Sequence, residues 1–380
     1  MKKFLSLVLI LILCVTMAAG CQKNDSTGNG GTETYDGAGQ TEGSTSPETD
    51  TAEGTAEAGQ VNETADNNTA ENSTSTADSL PAAGIDVSVA ALKGPTAMGM
   101  VKIMEDSEKE EAANNYTFTI AGAPDEITAG IIKGDFDIAA VPCNLAAVLY
   151  NKSQGGLLVA GINTLGVLYV VETGKEINSV EDLKGKTIYS TGKGTTPEYT
   201  LNYLLSAYGI DPVKDVTIEY KSEATEVAAN LSEATDAVAM LPQPYVTTVM
   251  LNNKNVRIAL DVAGEWDKAS KNGSTVVTGV IVVNKKFLAN NKEAVDGFLS
   301  EYEASAEYVN KNAKEASALI EKFDILKAAP AEKALPYCNI TSIQGEDMKV
   351  KIKGYLETLF GQNPDTVGGK LPDDGFYYIK

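Results

Sequence analysis

The chain has 380 residues, a formal net charge of −21 and no histidine. A Ser-His-Asp triad, a Cys-His pair and a histidine-ligated metal are therefore excluded. The acidic balance argues against a nucleic-acid partner, which needs a basic footprint. The presence of a single arginine, Arg257, argues against bidentate clamping of a substrate carboxylate.

In chain order, residues 1–20 read as an export signal. Lys2 and Lys3 form its basic start, Phe4–Val15 its apolar segment, and Ala18-Ala19-Gly20 leads into Cys21. The apolar segment is shorter than the about 20 residues that a membrane-spanning helix needs. Ala-Ala-Gly-Cys resembles the bacterial lipobox, although Ala18 stands where that pattern usually has leucine. The resemblance implies lipidation of Cys21 and a chain anchored by lipid to the cell membrane on its extracytoplasmic face. Plain secretion is the alternative.

Residues 21–83 hold the anchoring cysteine and an acidic linker rich in Ser, Thr and Gly. Over residues 22–80, 12 acidic residues stand against one basic residue, Lys23. So polar a stretch buries too little apolar surface to offset its ordering entropy, and disorder is predicted. A flexible chain of that length has an end-to-end distance of roughly 45 Å. Residues 81–380 keep a net charge of −12 and are long enough for two domain-sized cores.

From Ile85 onward, β-branched runs alternate with helical ones. Strands are predicted at Ile85–Leu92, Tyr116–Ala121, Phe136–Val141, Leu157–Ile162 and Val167–Val171. The intervening helices fall at Thr96–Glu105, after Ala123-Pro124-Asp125-Glu126, and at Asn144–Tyr150. A second unit follows Glu172, with strands Thr187–Tyr189, Val216–Tyr220, Ala237–Met240 and Val256–Leu260. Its helices are Ser179–Leu183, Glu198–Tyr208, Glu223–Leu231 and Tyr245–Asn252, and Val276–Val283 closes it as a long apolar strand. The remainder is largely helical through Ala294–Asn312, Ala313–Lys322 and Asp347–Phe360.

This rhythm indicates an α/β protein of two lobes, each a mostly parallel sheet flanked by helices. Lobe 1 is expected over 84–168 plus 281–380, and lobe 2 over 169–280. The strands Val167–Val171 and Val276–Val283 are the candidate two-strand hinge.

Open α/β sheets bind ligands beyond the carboxyl ends of their strands, where helix N-termini present backbone amides. The loops at those ends supply the candidate ligand-binding residues. Lys93-Gly94-Pro95-Thr96 combines a close-approach glycine, a helix-opening proline and a hydroxyl, with a plain helix cap as the alternative. Asn144, after Pro142-Cys143, offers both donor and acceptor at a helix start, and Thr164 follows the strand Leu157–Ile162. Thr191-Gly192-Lys193-Gly194-Thr195, before Thr196-Pro197, forms a nest for an anionic or strongly polar group, and it lacks the spacing of a nucleotide P-loop. Gln243 and Tyr245 sit in a loop stiffened by Pro242 and Pro244. Trp266 and Tyr199 are further candidates for covering a ligand, although a single Trp on a helix more often serves packing. Cys143 and Cys338 are open to pairing or to remaining free thiols.

Several segments together resemble the substrate-binding proteins of nitrate/sulfonate/taurine-type ABC importers, a family that includes binders of thiamine precursors. They are Lys93–Thr96, Asp135-Phe136-Asp137-Ile138-Ala139 with Pro142, Val180-Glu181-Asp182-Leu183-Lys184-Gly185-Lys186-Thr187 and Tyr208-Gly209-Ile210-Asp211-Pro212. The resemblance implies a bilobed periplasmic-binding clamshell of type II that catalyses no reaction and needs no cofactor or metal. It implies a monomer that hands a small solute to an ABC permease and its ATPase. The solute is open between a sulfonate, a nitrate-like anion and a pyrimidine-type precursor. A ligand-sensing lipoprotein serving a membrane receptor, and a clamshell-fold enzyme using Lys193 with Asp125 or Glu198, are the alternative functions.

Overall fold

The computed structural model describes residues 84–380. The export signal, Cys21 and the linker lie outside the described residues. The first run is β1 (Asp86–Leu92), α1 (Pro95–Met98), α2 (Val101–Glu108), β2 (Asn115–Ala121), α3 (Asp125–Lys133), β3 (Ile138–Pro142), α4 (Cys143–Lys152) and β4 (Leu157–Leu165). The second is β5 (Leu168–Glu172), β6 (Thr187–Thr191), α5 (Thr196–Ala207), β7 (Thr217–Lys221), α6 (Ala224–Glu233), β8 (Val238–Pro242), α7 (Tyr245–Asn252), β9 (Arg257–Asp261) and α8 (Val262–Ala269). The chain ends with β10 (Val277–Asn284), α9 (Lys285–Asn290), α10 (Lys292–Lys311), α11 (Ala313–Lys322), α12 (Ala328–Ala334), β11 (Ile340–Ile343) and α13 (Gly345–Gln362).

The strands form a six-stranded sheet, β11-β4-β10-β3-β1-β2, and a five-stranded sheet, β7-β6-β8-β5-β9. Each sheet carries helices on both faces, so its central strands are buried on both sides and read as continuous apolar runs such as Val-Ile-Val-Val in β10. Two α/β lobes result, as the alternating pattern indicates. The sheets are mixed, however, where mostly parallel ones were expected. β1 runs parallel to β2 and β3, but β10 is antiparallel to β3 and β4, and β11 is antiparallel to β4. In the smaller sheet β6 is parallel to β7 and β8, while β5 is antiparallel to β8 and β9. An apolar run of that kind reveals burial but not strand direction.

The crossings also differ from the expected hinge strands. β4 and β5 belong to different sheets, so the chain changes sheet at Gly166–Val167. The return runs through α8 and residues 270–276, and β10 lies wholly inside the six-stranded sheet. The helix expected over Thr96–Glu105 is two helices, split at Gly99–Met100.

The large lobe is filled on one face by α1, α2, α10 and α11, around Met98, Phe298 and Tyr302. On its other face, α4 and α13 form an apolar cluster that continues into the smaller lobe through Trp266 and, partly buried, Tyr199 and Tyr203. The smaller lobe has separate cores on its two sheet faces, one with α5 and the other with α6 and α7.

Candidate functional site

The two lobes meet along the carboxyl ends of their parallel strands. One interlobe cavity, of about 410 Å³, is lined by Pro124, Pro142 and Asn144 of the large lobe and by Thr195, Pro197 and Pro242 of the smaller one. Val167 and Val276–Thr278 bound it at the two crossings, and Tyr355 of α13 adds its ring. Pro124, Pro142 and Thr195 are the capping residues of α3, α4 and α5, so the N-terminal ends of three helices converge on one space. Pro124, Pro142 and Pro197 stand at these helix starts because a fixed φ preorganises a first helical turn and needs no amide partner there.

Those helix ends carry partial positive charge, but the chain largely compensates them itself. Glu126 accepts the Ala123 amide at 2.8 Å, and the Glu198 carboxylate accepts the Gly194 amide. In the Thr191–Thr195 loop, Gly192 and Gly194 both have φ near +76°, which only glycine adopts without strain, and the Thr195 hydroxyl donates to Gly192 carbonyl oxygen at 2.6 Å. The Gly194 amide of the expected anion nest is taken by the chain's own Glu198. Lys193 is exposed and does not line the cavity. Asn144 does line it, though as the second residue of α4, and its amide donates to Thr366 carbonyl oxygen at 3.3 Å.

Lys93 and Gly94 open instead on a second space of about 740 Å³, where they face α6 and α7 and share the wall with Tyr245. The 93–96 and 191–195 loops, both read as candidate ligand-binding loops, do not line a common cavity. The reason is layering: α5 packs on one face of the five-stranded sheet and α6 with α7 on the other. The Lys93 ammonium is held at the rim by Asp324, 2.8 Å away, and this ion pair keeps the Asp324 carboxyl below its usual range.

Four other candidates stand off both spaces. Pro95 occupies the first turn of α1. The Thr96 hydroxyl donates back to Leu92 carbonyl oxygen at 2.8 Å, so its proton is committed and it does not cap α1. Thr164 is fully buried, and its hydroxyl has no partner. Gln243 is buried with its oxygen accepting from Thr247, while its amide nitrogen is unpaired. The adjoining Asn163 gives its amide to Thr96 carbonyl oxygen and keeps its own oxygen unpaired. Gly279 is required beside it, because a Cβ there would lie 2.4 Å from that oxygen and 2.6 Å from the Thr96 methyl group.

Trp266 is not a ligand cover. It is completely buried, with its ring centroid 4.0 Å from that of Tyr203 and 5.6 Å from that of Tyr355, and its indole donates to Ser274 at 3.2 Å. Tyr199 is half-buried and takes a hydrogen bond from Asn363 at 2.9 Å. Cys143 and Cys338 are free and buried, and burial pushes the Cys338 thiol up to about 12. Of the cavity wall, sequence reasoning named only Asn144 and Thr195 as ligand-binding candidates, and it missed Thr278 and Tyr355 among others. Thr278 is one residue of an apolar strand and Tyr355 lies in the middle of a helix, so neither carries a loop signature.

No helix among the described residues is long and apolar enough to cross a membrane. Residues 157–316 match the model of the family described as NMT1/THI5 like. No curated protein is significantly similar to the chain in sequence. Among solved structures, an ABC transporter protein from Parabacteroides distasonis is 24% identical, with a TM-score of 0.65, covering 77% of this chain and 99% of its own. The periplasmic aliphatic sulphonate binding protein SsuA from Escherichia coli is 16% identical, with a TM-score of 0.60, covering 75% and 94% respectively. The desulfurization enzyme DSZB shares the fold at 10% identity and a TM-score of 0.55, covering 78% of this chain and 97% of its own. The chain thus has the two-lobed α/β fold of periplasmic binding proteins, and its residues 157–316 carry the NMT1/THI5-like family match.

Proposed function

We propose that the protein captures a small solute between its lobes and delivers it to an ABC importer. The observation that carries this reading is the cavity of about 410 Å³ walled by strand-end loops of both lobes and by the two crossings. A solute held there touches both halves, so its binding energy favours the form in which they are together. The fold shared with SsuA and the family match over residues 157–316 support the same reading. Catalysis draws no support from the lining, which holds no carboxylate, lysine or arginine to move a proton or bind a reacting charge. The fold alone does not decide this point, since DSZB is an enzyme.

On this reading the chain is exported, processed after residue 20 and lipidated at Cys21. The acidic linker over 21–83 then joins that anchor to a monomeric binding unit on the outer face of the membrane. Sulfonates, nitrate-like anions and pyrimidine-type precursors are the solute classes to try. A thermal-shift panel of these compounds tests the reading, because a ligand at 100 times its Kd stabilises by about 2.7 kcal/mol. A melting temperature unmoved across the whole panel contradicts it.

A further inference from the structure

The two sides on which the lobes meet are built differently. On one side α5 of the smaller lobe lies against α13 of the larger. Trp266 of α8 is fully buried there, with its ring against both Tyr203 and Tyr355. Gln362 donates to Tyr199 carbonyl oxygen and Asn363 to the Tyr199 hydroxyl, each at 2.9 Å. The apolar core on this side runs unbroken from lobe to lobe.

On the other side it does not. The cluster around Met98, Phe298 and Tyr302 holds only residues of the larger lobe, and the cluster beneath α6 and α7 only residues of the smaller one. Between them lies the space of about 740 Å³, with Thr225, Ala228 and Thr248 on one wall and Met98, Ile325 and Leu326 on the other. Among the described residues, no side-chain hydrogen bond or ion pair joins α6 or α7 to the larger lobe; their bonds stay within the smaller one. α7 does come near α12, but that helix is mostly alanine, and its Ala331 and Ala334 belong to the larger lobe's own core. Two further interlobe bonds, from Asn339 to Gly166 carbonyl oxygen at 2.6 Å and from Tyr169 to Tyr337 carbonyl oxygen at 2.9 Å, sit beside the crossing at Gly166–Val167.

The two interlobe spaces are neighbours along one cleft. The β2–α3 loop gives Gly122 to the larger space and Pro124 to the smaller, and the β8–α7 loop gives Pro244 to the larger and Pro242 to the smaller. The smaller space adjoins the aromatic joint, because Tyr355 belongs to both. Resting on the capture reading, we propose that the lobes swing about the α5–α8–α13 joint and part along the α6–α7 edge, so that the larger space is the mouth through which a solute reaches the smaller one. Separating the joint would return a fully buried indole to water, whereas the walls of the mouth part without breaking a packed core. The motion is hinge closure with one edge held fixed.

The test needs no ligand. The full chain with Cys14→Ser and Cys21→Ser takes spin labels at introduced cysteines, since its two other thiols, Cys143 and Cys338, are buried. One pair, Thr225→Cys with Lys327→Cys, spans the mouth, and a second, Ser206→Cys with Glu357→Cys, spans the joint; all four positions are exposed. Double electron–electron resonance on the unliganded protein is expected to show a second, longer distance across the mouth and a single narrow one across the joint. Ala228→Trp, which wedges the mouth, should lengthen the first distance and leave the second unchanged. Equal broadening of both pairs overturns the proposal, and so does a single narrow distance in each. Capture is judged separately by the thermal-shift panel, and it survives equal broadening because lobes that part along both edges still close on a solute. A panel without any response overturns capture, and the passage of a solute with it, while the difference between the two distances would still establish the fixed joint.

Discussion

Replacing Trp266 by alanine removes the largest side chain that is fully buried among the described residues. An aromatic side chain of this kind buries about 150–250 Å², worth about 4–6 kcal/mol at 25 cal/mol per Å². The ring contacts with Tyr203 and Tyr355 and the bond to Ser274 disappear with it. Part of the cavity collapses, so the expected loss is about 3–5 kcal/mol, a large share of the about 5–15 kcal/mol that holds most folded proteins. At about 2–4 °C per kcal/mol for a domain of this size class, the melting temperature falls by about 6–20 °C. Far-UV circular dichroism during a thermal scan reads this directly, with Tyr245→Ala as the control. Tyr245 is 47% exposed on the wall of the other cavity, so its loss should change stability by no more than about 0.5 kcal/mol. A Trp266→Ala protein melting within about 2 °C of the wild type would refute the packing of Trp266 between the lobes.

Three further outcomes follow from particular contacts. Glu172 is buried and accepts from the Glu176 and Ile177 amides and from the Arg257 guanidinium, so Arg257→Met leaves an uncompensated carboxylate. Arg257 is 37% exposed, which lowers the expected loss to about 2–3 kcal/mol in urea melts; Glu172→Gln in the same chain should restore part of it, and additive losses would contradict the pairing. Cys143 and Cys338 should resist iodoacetamide in the native protein and react only in denaturant, because the attacking thiolate is suppressed by burial; native-state labelling at either position in a peptide map would show the site to be open. Asp211 is held down to about 2 by the Lys214 ammonium and the Val213 amide. Its stabilisation is present above the unfolded carboxyl range and is lost as pH falls from about 4 through about 2. Asp211→Asn should therefore narrow its stability gap from the wild type over that window, and a gap that does not change with pH would rule this out.

Much of the fold was legible because apolar periodicity reports burial. β1, β2, the α4 segment and the second-lobe order from β6 to α7 lie close to where alternation and helix-opening prolines place them. Strand direction was not legible. β10 is as apolar as any parallel strand, and only its position between β3 and β4 makes it antiparallel to both. β11 is four residues long and half-exposed, too short to carry a period.

The site was legible in part for a related reason. Loop chemistry marks strand ends, so Asn144 and Thr195 reach the cavity wall. Which face each following helix takes is a tertiary matter, and it sends Lys93 and Gly94 to the other cavity. The motif Val180–Thr187 proves structural: Ser179 and Asp182 form a reciprocal cap, and the Gly185 amide bonds Asp215 carbonyl oxygen. Asp137 likewise spends its carboxylate on the Ser88 amide and hydroxyl, tying β3 to β1. Tyr355 had no signal at all, because a mid-helix side chain shows which cavity it lines only when its neighbours in space are known.

The most direct measurement on the account as a whole is equilibrium binding of a stabilising solute to the wild type and to Thr278→Phe, which fills the interlobe cavity from β10. The account expects one solute per chain in the wild type, and binding abolished in the filled variant while its unliganded melting temperature stays within a few degrees. Undiminished binding by the filled variant would place the solute outside this cavity and contradict the proposed site.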